Sequence, residues 1–199
     1  MVKALIIFIK NPEKGNAKTR LAKDIGDENA LIIYKFLLGH TREITSKIEA
    51  NRLLFYADSI SLRDEWPCGD YQKLVQQGDD LGSRMLNAFE TCFEKGNKRT
   101  IIIGSDCMEL SPELIEEAFL ELENNDFVIG PAKDGGYYLL GMKYPEPKLF
   151  QHKNWSTHTV AADTLKDVND LNKTCYILPM LSDIDTIEDL TTELKNLIK

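Results

Sequence analysis

Positive charge gathers at one place in this chain. The apolar run ending at Ile9 leads into KNPEKGNAKTRLA, which carries Lys10, Lys14, Lys18 and Arg20 around Pro12 and Gly15. Arginine offers a planar fork of donors and lysine a mobile point charge, so such a loop suits a phosphate-bearing ligand. A solvated basic turn is the plainer alternative. Neither the GxxxxGK[ST] spacing nor a dinucleotide-binding glycine fingerprint is present. A second stretch, RTIIIGSDCMELSPELI, delivers Asp106 at the end of an apolar strand. There a carboxylate could share a hard, oxygen-liganded cation with phosphates, or simply serve a turn. In VIGPAKDGGYYLLG, Asp134-Gly135-Gly136 reads as a tight turn between two strands, although Pro131 and Lys133 exceed what a hairpin needs. The glycine pair also permits close approach by a ligand backbone. Finally, LSDIDTIEDL places two more acids after the last strand; Asp183 reads as a turn residue and Asp185 as the better second metal ligand.

Strand-like runs occur at Ala4–Ile9, Arg52–Tyr56, Lys73–Gln76, Thr100–Ile103, Phe127–Ile129, Tyr137–Gly141 and Thr174–Leu178. Helical patterns separate most of them. One runs from an Asp27 cap to about Ala50, another from about Ser83 to Lys95, where Gly96 closes it. A third opens with Ser111 as cap and Pro112 at the first helical position. A fourth covers about Thr157 to Leu171, and the last begins at DTIEDL, with Thr186 as cap and Asp189 capping back. Strands alternating with helices predict an α/β, three-layer α/β/α architecture with a mostly parallel mixed sheet. Ligands in such sheets sit beyond the carboxyl ends of the strands, where all four stretches fall.

At 199 residues the chain fits one ordinary domain, here taken as residues 1–199. Hydrophobic content of 43% and charged content of 28% belong to a soluble globular protein. A net charge of −8 argues against nucleic acid as a partner, and no apolar run is long enough for a membrane span. No secretory pattern opens the sequence. The scattered Cys68, Cys92, Cys107 and Cys175 form no metal spacing, so reduced thiols in a cytoplasmic protein are expected.

In order, FIKNPEKGNAKTRLA, QQGDDLGSRM, GSDCMEL, IGPAKDGGYYLLG, NWST and DIDTIEDL resemble the nucleotide-diphospho-sugar transferase (GT-A) superfamily. More narrowly the chain is similar to the bacterial "transferase 1" or DUF2064 family, itself described as similar to CofC-type and molybdenum-cofactor guanylyltransferases. The resemblance spans nearly the whole chain. It implies that Lys18 and Arg20 hold nucleotide phosphates, with Lys10 and Gly15 nearby, and that Gln77 and Gly82 face the nucleobase. It further implies Asp106 as the metal aspartate, Asp185 as its partner, and Mg²⁺ or Mn²⁺ as cofactor. Asp134, Gly135, Gly136, Tyr137 and Trp155 would border a small-molecule acceptor. Two features depart from the pattern. Met108 stands where the family usually has Pro, and KNPEKGNAKTR replaces the GxGxR loop of nucleotidyltransferases.

The implied activity is a metal-dependent transferase acting on a nucleotide or nucleotide-sugar. Nucleotidyl transfer is the first reading, with Lys18, Arg20 and Asp106 as the catalytic set. Glycosyl transfer is the alternative, and a non-catalytic nucleotide-binding protein is a third. Acids far apart in sequence, rather than a DxD pair, favour the first reading, whereas the missing GxGxR loop favours the second.

Overall fold

A computed structural model describes residues 2–198. Seven strands form one sheet: β1 (Lys3–Ile9), β2 (Asn51–Tyr56), β3 (Gln72–Val75), β4 (Arg99–Ile103), β5 (Phe127–Pro131), β6 (Tyr137–Met142) and β7 (Cys175–Ile177). Their order is β3-β2-β1-β4-β6-β5-β7. All pair in parallel except β6, which runs antiparallel to both β4 and β5. The expected fold class is therefore the observed one.

Alternation along β1 explains the layers. Leu5, Ile7 and Ile9 face one side, where they join Ile101, Ile103, Tyr34, Leu38 and Phe119. Ala4 and Ile6 face the other, with Phe55, Ile102, Met85 and Phe89. Side chains two apart share a sheet face, so a run apolar at every position must be covered on both sides. The covering helices are α2 (Asp27–Ser46) and α4 (Pro112–Glu121) on one face, α3 (Leu81–Glu94) and α5 (Val160–Asp170) on the other.

A third, smaller cluster positions the site. Leu21 of α1 (Thr19–Ile25) and Ile33 and Leu37 of α2 pack with Ile184, Leu190 and Leu194. Leu194 belongs to the short C-terminal α6 (Thr192–Asn196). This apolar clamp holds the basic opening segment against the segment that carries Asp185.

Several boundaries differ from expectation. Asp27 is the first residue of α2 rather than its cap; Gly26, at φ 81°, ends α1 and caps α2 at once. A positive φ there is cheap only for glycine, and it separates two helices in sequence that reads as helical on both sides. That helix also stops at Ser46, short of Ala50. The helix expected from about Ser83 begins at Leu81, with Asp80 as its cap and Ser83 returning the bond in a capping box. Thr159 caps α5, three residues after Ser156, whose φ of 64° interrupts the chain. Thr186 and Asp189 do bond as expected, with the Thr186 N–H donating to Asp189 Oδ2 at 2.7 Å. They close a single 3-10 turn, Ile187–Asp189, and α6 is a separate element.

Candidate functional site

Four chain segments meet beyond the carboxyl ends of the parallel strands. The sequence order of the strands reverses at β1, which lies between β2 and β4. The crevice of an open α/β sheet forms at such a switch point. The loop leaving β1 carries Lys18 and Arg20, and the loop leaving β4 carries Asp106. The β5–β6 hairpin carries Asp134, and the segment after β7 carries Asp183 and Asp185.

Lys18 is the hub. Its ammonium donates to Asp106 Oδ2 at 2.8 Å and stands 3.8 Å from Asp185 Oδ1. Arg20 Nη1 donates to the other Asp185 oxygen at 2.8 Å. The Lys18 side chain is only 5% exposed, whereas that of Arg20 is 60% exposed. Lys18 also adopts a left-handed backbone, φ 49° and ψ 47°. For a residue with a Cβ this costs on the order of 1–3 kcal/mol, which the surrounding contacts must offset. Because α1 is one short helix of seven residues, side chains rather than a helix terminus carry the positive charge here.

Backbone bonds lock the frame. The Ile184 N–H donates to the Asp106 carbonyl at 2.9 Å. The Lys133 N–H donates to the Leu181 carbonyl, and the Leu181 N–H to the Pro131 carbonyl, joining the hairpin to the C-terminal segment. Within the hairpin, the Gly136 N–H donates to Asp134 Oδ1 at 2.8 Å, which makes the turn read from Asp-Gly-Gly. Gly135 takes φ 91°, and a Cβ there would lie 2.0 Å from the His158 carbonyl oxygen. The Ala161 N–H donates to the Gly135 carbonyl, so the hairpin tip is fastened to the start of α5.

The other expected residues are distributed as follows. Lys10 is exposed, and its backbone N–H donates to the Tyr34 hydroxyl at 2.8 Å. Gly15, at φ 84°, turns the loop beside the Lys14–Glu28 ion pair. Gln77 is exposed, and its carbonyl accepts from Asn87. Gly82 is buried: a Cβ there would lie 2.6 Å from both the Trp155 indole and the Phe150 carbonyl. That packing accounts for the glycine, because any side chain there would displace the Trp155 indole. The Tyr137 hydroxyl turns to Met85 Sδ at 3.7 Å, and its ring packs on the α3 face of the core. Asp134, Gly135 and Gly136 stay at the rim.

Three supporting residues escaped the sequence reading. The buried Tyr34 hydroxyl lies 3.4 Å from Ser105 Oγ and ties the exits of β1 and β4; burial first of all pushes its phenol up to about 12. Gln76 donates to the carbonyls of Ile9 and Phe55, and Asn11 donates to that of Ser59. All three hold backbone at strand ends, which no spacing in the sequence announces.

Asp183 is the fourth surprise. Its Oδ1 is buried without a hydrogen-bond partner. Burial, followed by the charges of Asp106, Asp134 and Asp185, pushes its carboxyl up to about 7, while Lys18 pulls the other way. By contrast Asp189, which burial alone would raise, is held below the usual range by N–H bonds from Thr186 and Asp185. With an unfolded value near 3.9, Asp183 keeps its proton in the folded state when the unfolded chain has lost it. Its contribution to stability is thus greatest below about pH 4 and is lost as the pH rises toward 7. Asp183→Asn should therefore gain stability over the native chain progressively between those values, levelling near 1–4 kcal/mol or so. Urea unfolding of both proteins across that range checks the difference; an advantage independent of pH would contradict the assignment.

No three His, Cys, Asp or Glu side chains among the described residues come together as a metal group. Asp106 and Asp185 nevertheless face one cation already, the Lys18 ammonium. This donor set fits a hard cation that takes the rest of its shell from phosphate or water. The described cysteines are free, and no described helix is long and apolar enough to cross a membrane.

Residues 41–157 match DUF2064, described as uncharacterized protein conserved in bacteria. The chain belongs to this family. The DUF2064 chain is 30% identical to a structure from Desulfovibrio desulfuricans G20, provisionally named a nucleotide-diphospho-sugar transferase; the match covers 95% of this chain and 85% of that one, with a TM-score of 0.88. The inositol-1-phosphate CTP transferase of T. maritima shares the fold at 14% identity, covering 99% and 95%, with a TM-score of 0.55. So does 4-diphosphocytidyl-2C-methyl-D-erythritol synthase of Anaerococcus prevotii, at 9% identity, 99% and 94% coverage and a TM-score of 0.61. No curated protein sequence matches the chain.

Proposed function

We propose that this DUF2064 chain is a divalent-cation-dependent transferase acting, as one domain over residues 1–199, on a nucleoside triphosphate and a phosphorylated small-molecule acceptor. The observation that carries the reading is the convergence of Lys18, Arg20, Asp106 and Asp185 at the sheet's switch point. In this reading the acceptor's phosphate oxygen attacks the α-phosphorus and pyrophosphate leaves. Lys18 and Arg20 turn to the leaving phosphates and neutralise their growing charge. Asp106 and Asp185 would hold Mg²⁺ or Mn²⁺, which when bound supplies charge neutralisation on the phosphate oxygens. The hairpin at Asp134–Gly136 and the neighbouring Trp155 segment position the acceptor. Little acid–base chemistry is demanded of the protein, so alignment of the two substrates does most of the work.

Glycosyl transfer from a nucleotide-sugar is the second reading, favoured by the provisional name of the D. desulfuricans relative. Phosphorus NMR of the protein with Mg²⁺ and a library of sugar and polyol phosphates, given mixed nucleoside triphosphates in one sample and nucleotide-sugars in another, separates the two. Nucleotidyl transfer predicts pyrophosphate and new diphosphate linkages. Nucleoside diphosphate released from nucleotide-sugars, with no pyrophosphate from triphosphates, would overturn the first reading in favour of the second.

Base selection follows from the loop before α3. Arg84 Nε donates to the Gly78 carbonyl at 3.0 Å and Asn87 to the Gln77 carbonyl at 2.8 Å, so the backbone is set while the Gln77 side chain stays exposed. Gln77→Ala should narrow the spread of affinities among the four nucleoside triphosphates, the preferred one weakening by roughly 1 kcal/mol, the net worth of a hydrogen bond. Calorimetric titration checks this. Equal losses for every nucleotide, with the ranking kept, would place base recognition elsewhere.

A further inference from the structure

The ammonium of Lys18 lies where a cation shared by Asp106 and Asp185 would lie, 2.8 and 3.8 Å from their oxygens. It is among the most buried charged groups in the chain, and its backbone is left-handed. Solvent does not satisfy it; the two carboxylates do. Arg20, in contrast, binds the other oxygen of Asp185, Oδ2, and is mostly exposed. A divalent ion approaching the free protein therefore meets carboxylates already neutralised by a buried, tethered positive charge.

We propose that Lys18 is a resident counter-ion that excludes the divalent cation until phosphates draw its ammonium away, so that the cation enters with nucleotide and not before it. The proposal rests on the nucleotide-phosphate reading of the site and adds an order of events to it. Three cations would otherwise compete for two carboxylates. A polyphosphate resolves that competition by giving Lys18 another anion to face. The left-handed backbone, held only by the surrounding contacts, gives the segment a means to relax when the ammonium leaves.

Manganese binding followed by electron paramagnetic resonance tests this without any turnover. Lys18→Met keeps the aliphatic stem but removes the charge, and should bind Mn²⁺ alone at least about tenfold more tightly than the native chain. Arg20→Gln removes an equal charge without vacating the shared position and should change Mn²⁺ affinity by much less. No tightening in Lys18→Met overturns the proposal. Equal tightening in both variants also overturns it, because a general field effect would then suffice.

Native protein labelled with ¹⁵N-lysine provides a second route should Lys18→Met fail to fold. Lys73 and Lys153, 5% and 2% exposed in their side chains, serve as buried references. Mg²⁺ alone should leave the Lys18 ammonium resonance in place, and inorganic tripolyphosphate should move it. A shift with Mg²⁺ alone would show that the ion displaces lysine unaided and would overturn the order. If no nucleotide binds while the Lys18→Met tightening is still seen, the nucleotide reading fails and takes the order of entry with it, and only the exclusion of the cation by Lys18 stands.

Discussion

Gly135→Ala should lower the thermal midpoint by roughly 10 °C, the largest stability effect expected of one methyl group in this protein. Two penalties coincide at that residue. Its φ of 91° lies where side chains are strained, and the added carbon would sit 2.0 Å from the His158 carbonyl oxygen. Because the obstacle is backbone, neither a rotamer change nor a flexible tip can relieve it. Strain and overpacking each cost about 1–3 kcal/mol, and a chain of this length loses about 2–4 °C per kcal/mol. The turn would then release the start of α5, since the Gly135 carbonyl accepts the Ala161 N–H. Calorimetric melting checks the midpoint. A change under a few degrees would mean that the 156–159 segment yields freely, and the hairpin would lose its proposed role as a fixed wall beside the acceptor.

The largest functional effect belongs to Asp106. Asp106→Asn is nearly isosteric and sits in a loop, so the fold should persist. It removes the charge that Lys18 contacts at 2.8 Å and the proposed cation ligand closest to the β4 strand end. Transfer activity should fall by at least about 100-fold, the usual order for losing one electrostatic stabiliser of a phosphate transition state. Steady-state rates on the best nucleotide and acceptor pair measure it. A variant within a few-fold of the native rate would remove Asp106 from the chemistry.

Much of this arrangement could be read from the chain. Continuous apolar runs announced strands buried on both faces, and Asp106 and Asp185 were placed at strand exits from the residues alone. Asp-Gly-Gly announced the one reversal of direction, because a two-strand hairpin leaves β6 antiparallel to its neighbours. The hidden parts are those made by long-range contact. Tyr34 sits mid-helix in α2, and nothing local shows that its hydroxyl reaches the Lys10 N–H and Ser105. Gln76 and Gln77 are chemically alike, yet the strand ends claim the side chain of Gln76 only. Asp183 and Asp185 are two residues apart with similar neighbours. Packing of Ile184 into the α1–α2 clamp leaves one with a buried, partnerless oxygen and turns the other toward Lys18 and Arg20. Gly82 reads as a ligand turn, and nothing local shows that it also leaves room for the Trp155 indole.

The central claim is that Lys18, Arg20, Asp106 and Asp185 form one site where nucleotide phosphates and a divalent cation bind together. Thermal unfolding of the native chain with a panel of nucleoside triphosphates and nucleotide-sugars, with and without Mg²⁺, tests it most directly, because a ligand selective for the folded state raises apparent stability by mass action. At least one nucleotide should raise the midpoint by several degrees more with Mg²⁺ than the two ligands do separately, and Asp106→Asn should abolish that excess. Additive shifts throughout the panel, or an excess that survives in Asp106→Asn, would contradict the account.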